Sequence, residues 1–225
     1  MAAGILIFTA GFVIIFWRRA QAQIQNDIHY TTQTLSIAVA WIAYLFFLGK
    51  FEILGNFSSF PPPLFLFFLS LIGFSLFLAF SSFGTVLIKQ FHLWQFVLFQ
   101  SFRILAEAVI HFGFVEGIAP RALSFHGYNF DIITGISALA AGFYLRKNEN
   151  LKLAQAFNVM GAGFLVIIAF IAMTSMPSPF RLFMEEPSNI WVTTLPYILL
   201  PGVLVVAAIT DHLLIFRKIR LLQGK

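Results

Sequence analysis

The chain has 225 residues, 60% hydrophobic and 10% charged, with a mean hydropathy of +0.89, far too apolar for a domain that must clothe itself in charge to stay in water. It has no cysteine, which excludes disulfides, thiolate metal sites and a cysteine nucleophile. The formal net charge of +5 sits mostly beside apolar runs. That pattern orients a protein in a membrane rather than gripping nucleic acid, and no nucleic-acid partner is expected.

Apolar runs long enough for a hydrocarbon core about 30 Å thick predict seven helices, near 3–17, 33–49, 63–84, 92–116, 129–146, 153–174 and 192–216. No alternation of the closed-barrel kind appears, so the spans are helices. The first, in MAAGILIFTAGFVIIFWRR, has no basic stretch before its apolar run and Arg18 and Arg19 after it, as expected of a retained span and not a cleaved signal. The third, PLFLFFLSLIGFSLFLAF, is uncharged and rich in phenylalanine, which suits a lipid-facing position.

The fourth span carries the chemistry. In QSFRILAEAVIHFGF, Gln100, Arg103, Glu107 and His111 recur every three or four residues, so they climb one broad helical face at about 1.5 Å per residue. A charge at mid-membrane costs at least about 2.5–3.5 kcal/mol on insertion scales, so this face should turn inward and find partners. Arg103 precedes Glu107, the weaker order for a pair within one helix, which calls for a partner on a neighbour.

The fifth span opens with FHGYNFDIITG, at the membrane face where the fourth ends. His126, Asn129 and Asp131 are therefore expected at the depth of Glu107 and His111, in one outer-half cavity. Competing roles stay open: Asn129 suits a helix N-cap and Asp131 a first turn, Arg103 and Glu107 a structural clamp, and the two histidines interfacial imidazoles.

Small residues recur at Thr134, Ala138 and Gly142, and around Asn158 at Ala154 and Ala162. Such stripes let backbones approach and predict central positions for the fifth and sixth helices. In the seventh, DHLLIFRKIRLLQGK runs into a basic anchor, with Asp211 and His212 expected at the interface. His29, His92, Glu185 and Glu186 fall in or beside loops, where solvated side chains are expected.

Ten Lys and Arg residues lie in one set of alternate loops and three (Lys50, Arg121 and Arg181) in the other. By the positive-inside bias this puts the N-terminus outside and the C-terminus in the cytoplasm. Short loops and no visible repeat predict one domain over 1–225: an all-α integral membrane protein, a seven-transmembrane helix bundle.

Three function classes fit the polar ladder. The first is binding or translocation of a small ion, proton or polar solute by Arg103, Glu107, His111, His126, Asn129, Asp131 and Gln100. The second is a membrane enzyme with Glu107, His111, His126 and Asp131 as metal ligands, although H-E-x-x-H, Gly-x-Ser-x-Gly and Walker motifs are absent. The third is a non-catalytic subunit with membrane-complex partners, in which two histidines bracket a haem or the ladder locks helices together. A retinal pump is excluded, since 191–216 holds no lysine for a Schiff base.

The chain resembles a group of uncharacterised bacterial polytopic membrane proteins that share Q-x-F-R-x-x-x-E and then G-x-N-F-D-I-x-x-G. The matching residues are Gln100, Phe102, Arg103 and Glu107, then Gly127, Asn129, Phe130, Asp131, Ile132 and Gly135, with the prolines before the third span. Tyr128 stands where the second pattern carries a basic residue. The resemblance implies a bacterial membrane protein and no particular activity.

Overall fold

The computed structural model describes residues 1–23 and 28–224, with side chains described outside Phe12 and residues 15–32. His29, Arg18 and Arg19 therefore lie outside the described side chains, and Lys225 outside the described residues. The chain is all-helical, with no strand among the described residues.

Among the described residues nine α-helices follow one another: α1 (Ala2–Gln23), α2 (Ile28–Lys50), α3 (Pro63–Phe80), α4 (Ser82–Gln90), α5 (Leu93–Phe99), α6 (Arg103–Val115), α7 (Ile132–Lys147), α8 (Leu151–Thr174) and α9 (Val206–Gln223). Local sequence sets their ends. Pro63 opens α3, where a missing N–H is harmless. The Asn150 side chain caps α8 by accepting from the Leu153 N–H at 3.0 Å.

Five stretches are long and apolar enough to cross a membrane: Gln33–Lys50, Pro63–Phe80, Leu93–Val115, Leu151–Thr174 and Leu200–Gln223. The other two expected spans are helical but shorter by that measure. In α1 the apolar part among the described residues is Ala2–Gly11. The 16 residues of α7 reach about 24 Å at 1.5 Å each.

Two boundaries differ from the sequence expectation. The third span stops at Phe80, because Ser81 turns the chain and caps the separate helix α4. A Cβ on Gly84 would meet the Ala79 carbonyl oxygen at 2.2 Å, so this turn needs glycine. The break leaves carbonyls to satisfy: the Arg217 guanidinium donates to the Ala79 carbonyl and at 3.0 Å to Thr85 Oγ1, and Lys218 donates to the Ile88 carbonyl at 2.7 Å.

The last span begins at Leu200, not 192. Residues Asn189–Thr193 form a 3-10 turn, and Leu200–Val205 is a wide π-helical turn leading into α9. The Trp41 indole of α2 donates to the Gly202 carbonyl in that turn at 2.8 Å. The later start moves Asp211 and His212 from the expected interface to the middle of the span.

The interior is built from two apolar clusters. One gathers Leu6, Leu45, Leu71, Phe102, Val109, Trp191 and Leu204 from α1, α2, α3, the turn before α6, α6 itself and the segment before α9. The other gathers Ile88, Val97, Ala138, Phe157 and Leu214 from α4, α5, α7, α8 and α9. Large apolar side chains such as Leu66, Leu69, Phe77, Val159, Val166 and Phe170 stay exposed, as suits helices surrounded by hydrocarbon. The sixth expected span, α8, is thus more peripheral than its small-residue stripe implied. The Leu93–Val115 and Leu200–Gln223 segments are the more buried ones.

Candidate functional site

The site lies where the two clusters meet. The Leu93–Val115 span is tightened by a 3-10 turn at Gln100–Phe102. Close packing brings α7 against it: Cβ atoms on Gly135 and Gly142 would fall within 2.7 Å of Ile104 and 2.9 Å of Leu98. The stripe Thr134, Ala138, Gly142 is buried at that contact.

Arg103, 2% exposed, is the hub. Its Nε donates to Asp131 Oδ2 at 2.6 Å while NH2 lies against Oδ1, so guanidinium and carboxylate meet side by side. Its NH1 reaches the Gly161 carbonyl of α8 at 3.2 Å and His212 Nε2 of α9 at 3.1 Å. One side chain thus ties α6 to three other helices. Asp131 Oδ1 also accepts from the Thr134 hydroxyl at 3.1 Å.

The tautomer of His212 follows from its neighbours. A guanidinium N–H can only donate, so Nε2 accepts and is unprotonated. Nδ1 then carries the hydrogen and donates to Asn158 Oδ1 at 2.8 Å, while Asn158 Nδ2 returns a bond to the His212 carbonyl at 3.2 Å. There is no room for a side chain opposite this contact: a Cβ on Gly161 would lie 2.8 Å from both His212 Cε1 and Thr134 Cγ2.

Glu107, also 2% exposed, sits apart from the guanidinium contacts. Its Oε2 accepts from Asn129 Nδ2 at 2.6 Å, and the same amide donates to the Leu123 carbonyl at 2.8 Å. Asn129 Oδ1 accepts the Asp131 N–H at 2.9 Å. Asn129 therefore shapes the turn into α7 and holds Glu107 at once, whereas Asp131 spends its carboxylate on Arg103 rather than on capping α7. Gln100, fully buried, donates to the Ala208 carbonyl of α9 at 3.3 Å.

The expected ladder divides here. Gln100, Arg103, Glu107, Asn129 and Asp131 come together in the buried seam. His111 and His126 do not join them: their rings lie 5.2 Å apart, with Phe125 stacked on His111 at 4.6 Å, in an aromatic group beyond Glu107. The four candidate metal ligands Glu107, His111, His126 and Asp131 are accordingly split among three places. No group of three His, Asp or Glu suited to a metal forms among the described residues. His92 is exposed at the start of α5, and Glu186 pairs with Arg181 at 2.9 Å in the loop.

Sequence reasoning placed Asp211 and His212 at the interface, away from the seam, and missed Gly161 and the polar use of Thr134 and Asn158. The latter two stand on the stripes read as packing, where a threonine and an asparagine among alanines and glycines were the available signal.

Residues 62–220 match a protein family described as a domain of unknown function, DUF8737. The match takes in every residue of the buried seam and leaves out α1 and α2. No curated protein and no solved structure matches the chain. Because the match spans well over half of the sequence, the chain belongs to this family of uncharacterised proteins.

Proposed function

We propose that the chain binds or translocates a proton or small cation at the buried Glu107 site, as a multi-pass protein of a bacterial plasma membrane. In this reading α1 and α7 also cross, giving seven spans with the N-terminus outside and the C-terminus in the cytoplasm. Its partners are the lipid bilayer, the transported or bound ion and any membrane complex that it joins.

The observation that carries the reading is the charge balance of the seam. Asp131 takes the one guanidinium, while the Glu107 carboxyl rests on the neutral Asn129 amide. An isolated carboxylate among helices is too costly to leave uncompensated. A proton or a small cation on Glu107 removes that cost, and its departure restores it, which is how a buried carboxyl couples occupancy to conformation. Asp131 and Arg103 act on Glu107 through space in opposite senses.

A second reading, a structural clamp in a non-catalytic subunit, draws support from the closed set of bonds around Arg103. Reconstituted Glu107→Gln separates the two: it should fold as the parent does and lose proton or cation flux in proteoliposomes. Undiminished flux would defeat the proposal.

A further inference from the structure

A long groove runs beside α2, from Gln33 to Phe46, with a volume of about 1010 Å³. Its floor is Val203 and Val206, buried where the wide turn joins α9, and its far wall is Phe74 and Phe77 of α3. Leu35 and Phe46 line it and stay exposed, so it opens sideways, between stretches long and apolar enough to cross a membrane. Trp41 fixes its width. The indole stacks on Phe74 with ring centres 4.0 Å apart and donates to the Gly202 carbonyl at 2.8 Å, which pins α2 to α3 and to the wide turn while the groove stays open beside the contact.

We propose that this groove binds a long-chain phospholipid, with acyl chain laid along α2 and headgroup at the Gln33 end. Its dimensions select hydrocarbon chains over a protein. From Gln33 to Phe46 the groove is about 20 Å long at 1.5 Å per residue, so its volume leaves a cross-section of about 50 Å². A helix about 10 Å across with its side chains needs about 80 Å², too much for a partner's span or a second copy of this chain.

Polarity sets the direction of the lipid. Polar side chains line the groove only where Gln33 and Thr34 of α2 come level with Ser81 and Ser82, and Gln33 and Ser82 are exposed there to meet a headgroup. Between that mouth and Phe46 the lining is apolar, and the Trp41 N–H is already spent on Gly202. No charged side chain lines the groove among the described residues, so chain length and not headgroup charge should decide affinity. The site goes beyond the Glu107 reading and shares no residue with the buried seam.

The test is native mass spectrometry of the full chain washed in mild detergent, beside its melting temperature as phospholipid is added back. The parent should retain one phospholipid. Palmitoyl-oleoyl phosphatidylglycerol and phosphatidylethanolamine should raise melting saturably and alike, as a ligand of the native state does, whereas didecanoyl phosphatidylglycerol should do little. Ala38→Trp, at an exposed lining position, should lose both the retained lipid and the melting shift, and Ala38→Leu should weaken them. Val166→Trp, on the exposed face of α8, should keep both. Glu107→Gln should also keep them, so a failed flux test and a failed lipid site are told apart. An absence of retained lipid, retention that survives Ala38→Trp or falls equally in Val166→Trp, or a requirement for an anionic headgroup would overturn the proposal, as would a dimer that Ala38→Trp dissolves.

Discussion

Asp131→Asn isolates the central ion pair with the least change of shape. The variant keeps an oxygen for the Thr134 hydroxyl but removes the charge that the Arg103 guanidinium meets side by side. Its remaining partners, the Gly161 carbonyl and His212 Nε2, are neutral. Leaving one member of a buried pair without the other costs about 3–5 kcal/mol. At about 2–4 °C per kcal/mol for a chain of this size, melting should fall by about 6–20 °C. The assay is thermal unfolding in detergent followed by tryptophan fluorescence, with Glu186→Gln as the reference. Glu186 also pairs with an arginine, but its side chain is 71% exposed, so its loss should cost no more than about 1 kcal/mol. Adding Arg103→Met to Asp131→Asn should recover much of the stability, because no charge is then stranded. A drop for Asp131→Asn no larger than that for Glu186→Gln would refute the seam as a dry, paired interior.

Two further outcomes follow from the same geometry. Gly161→Ala forces a Cβ within 2.8 Å of His212 and Thr134 and should destabilise by about 1–3 kcal/mol, whereas Gly163→Ala, with nothing within 4 Å, should be neutral or stabilising by up to about 1 kcal/mol; equal melting temperatures would contradict the packing of α8 on α9. Nitrogen-15 shifts of His212 should report the Nδ1–H tautomer at neutral pH, and Asn158→Leu should release that preference; an Nε2–H signal in the parent would contradict the bond from Arg103.

Much of the seam was legible before any coordinates, for a physical reason. Arg103 and Glu107 stand out because ionised groups are rare in apolar spans, and a demand for sheltering partners led to Asn129 and Asp131 on the next helix. What failed was register. Trp191, Tyr197 and the apolar residues around them read as the start of the last span, yet Pro196 sits in irregular chain, Pro201 falls in the first turn of the helix, and the helix runs from Leu200 to Gln223. A slip of about two helical turns moved Asp211 and His212 out to the membrane surface and hid the meeting of His212 with Arg103.

Local helix chemistry explains two other departures. The SSFG stretch is a polar cap and a tight turn inside an apolar run, and it cut α4 away from the third span. His111 continues the spacing of Arg103 and Glu107, but it lies one turn past Glu107, where Phe125 and His126 of the following loop meet it. Periodicity gave the direction in which these side chains point; the irregular segments decided which partners were waiting there.

The sharpest measurement is the melting temperature of Glu107→Gln beside that of the parent in the same lipid nanodiscs. If Glu107 holds a proton or cation as a separate load, glutamine keeps an oxygen for the Asn129 amide and strands no charge, so melting should stay within the shift expected of about 1 kcal/mol or rise. A fall matching the about 3–5 kcal/mol of a broken buried ion pair would make Glu107 a fixed member of the Arg103 clamp and contradict the account.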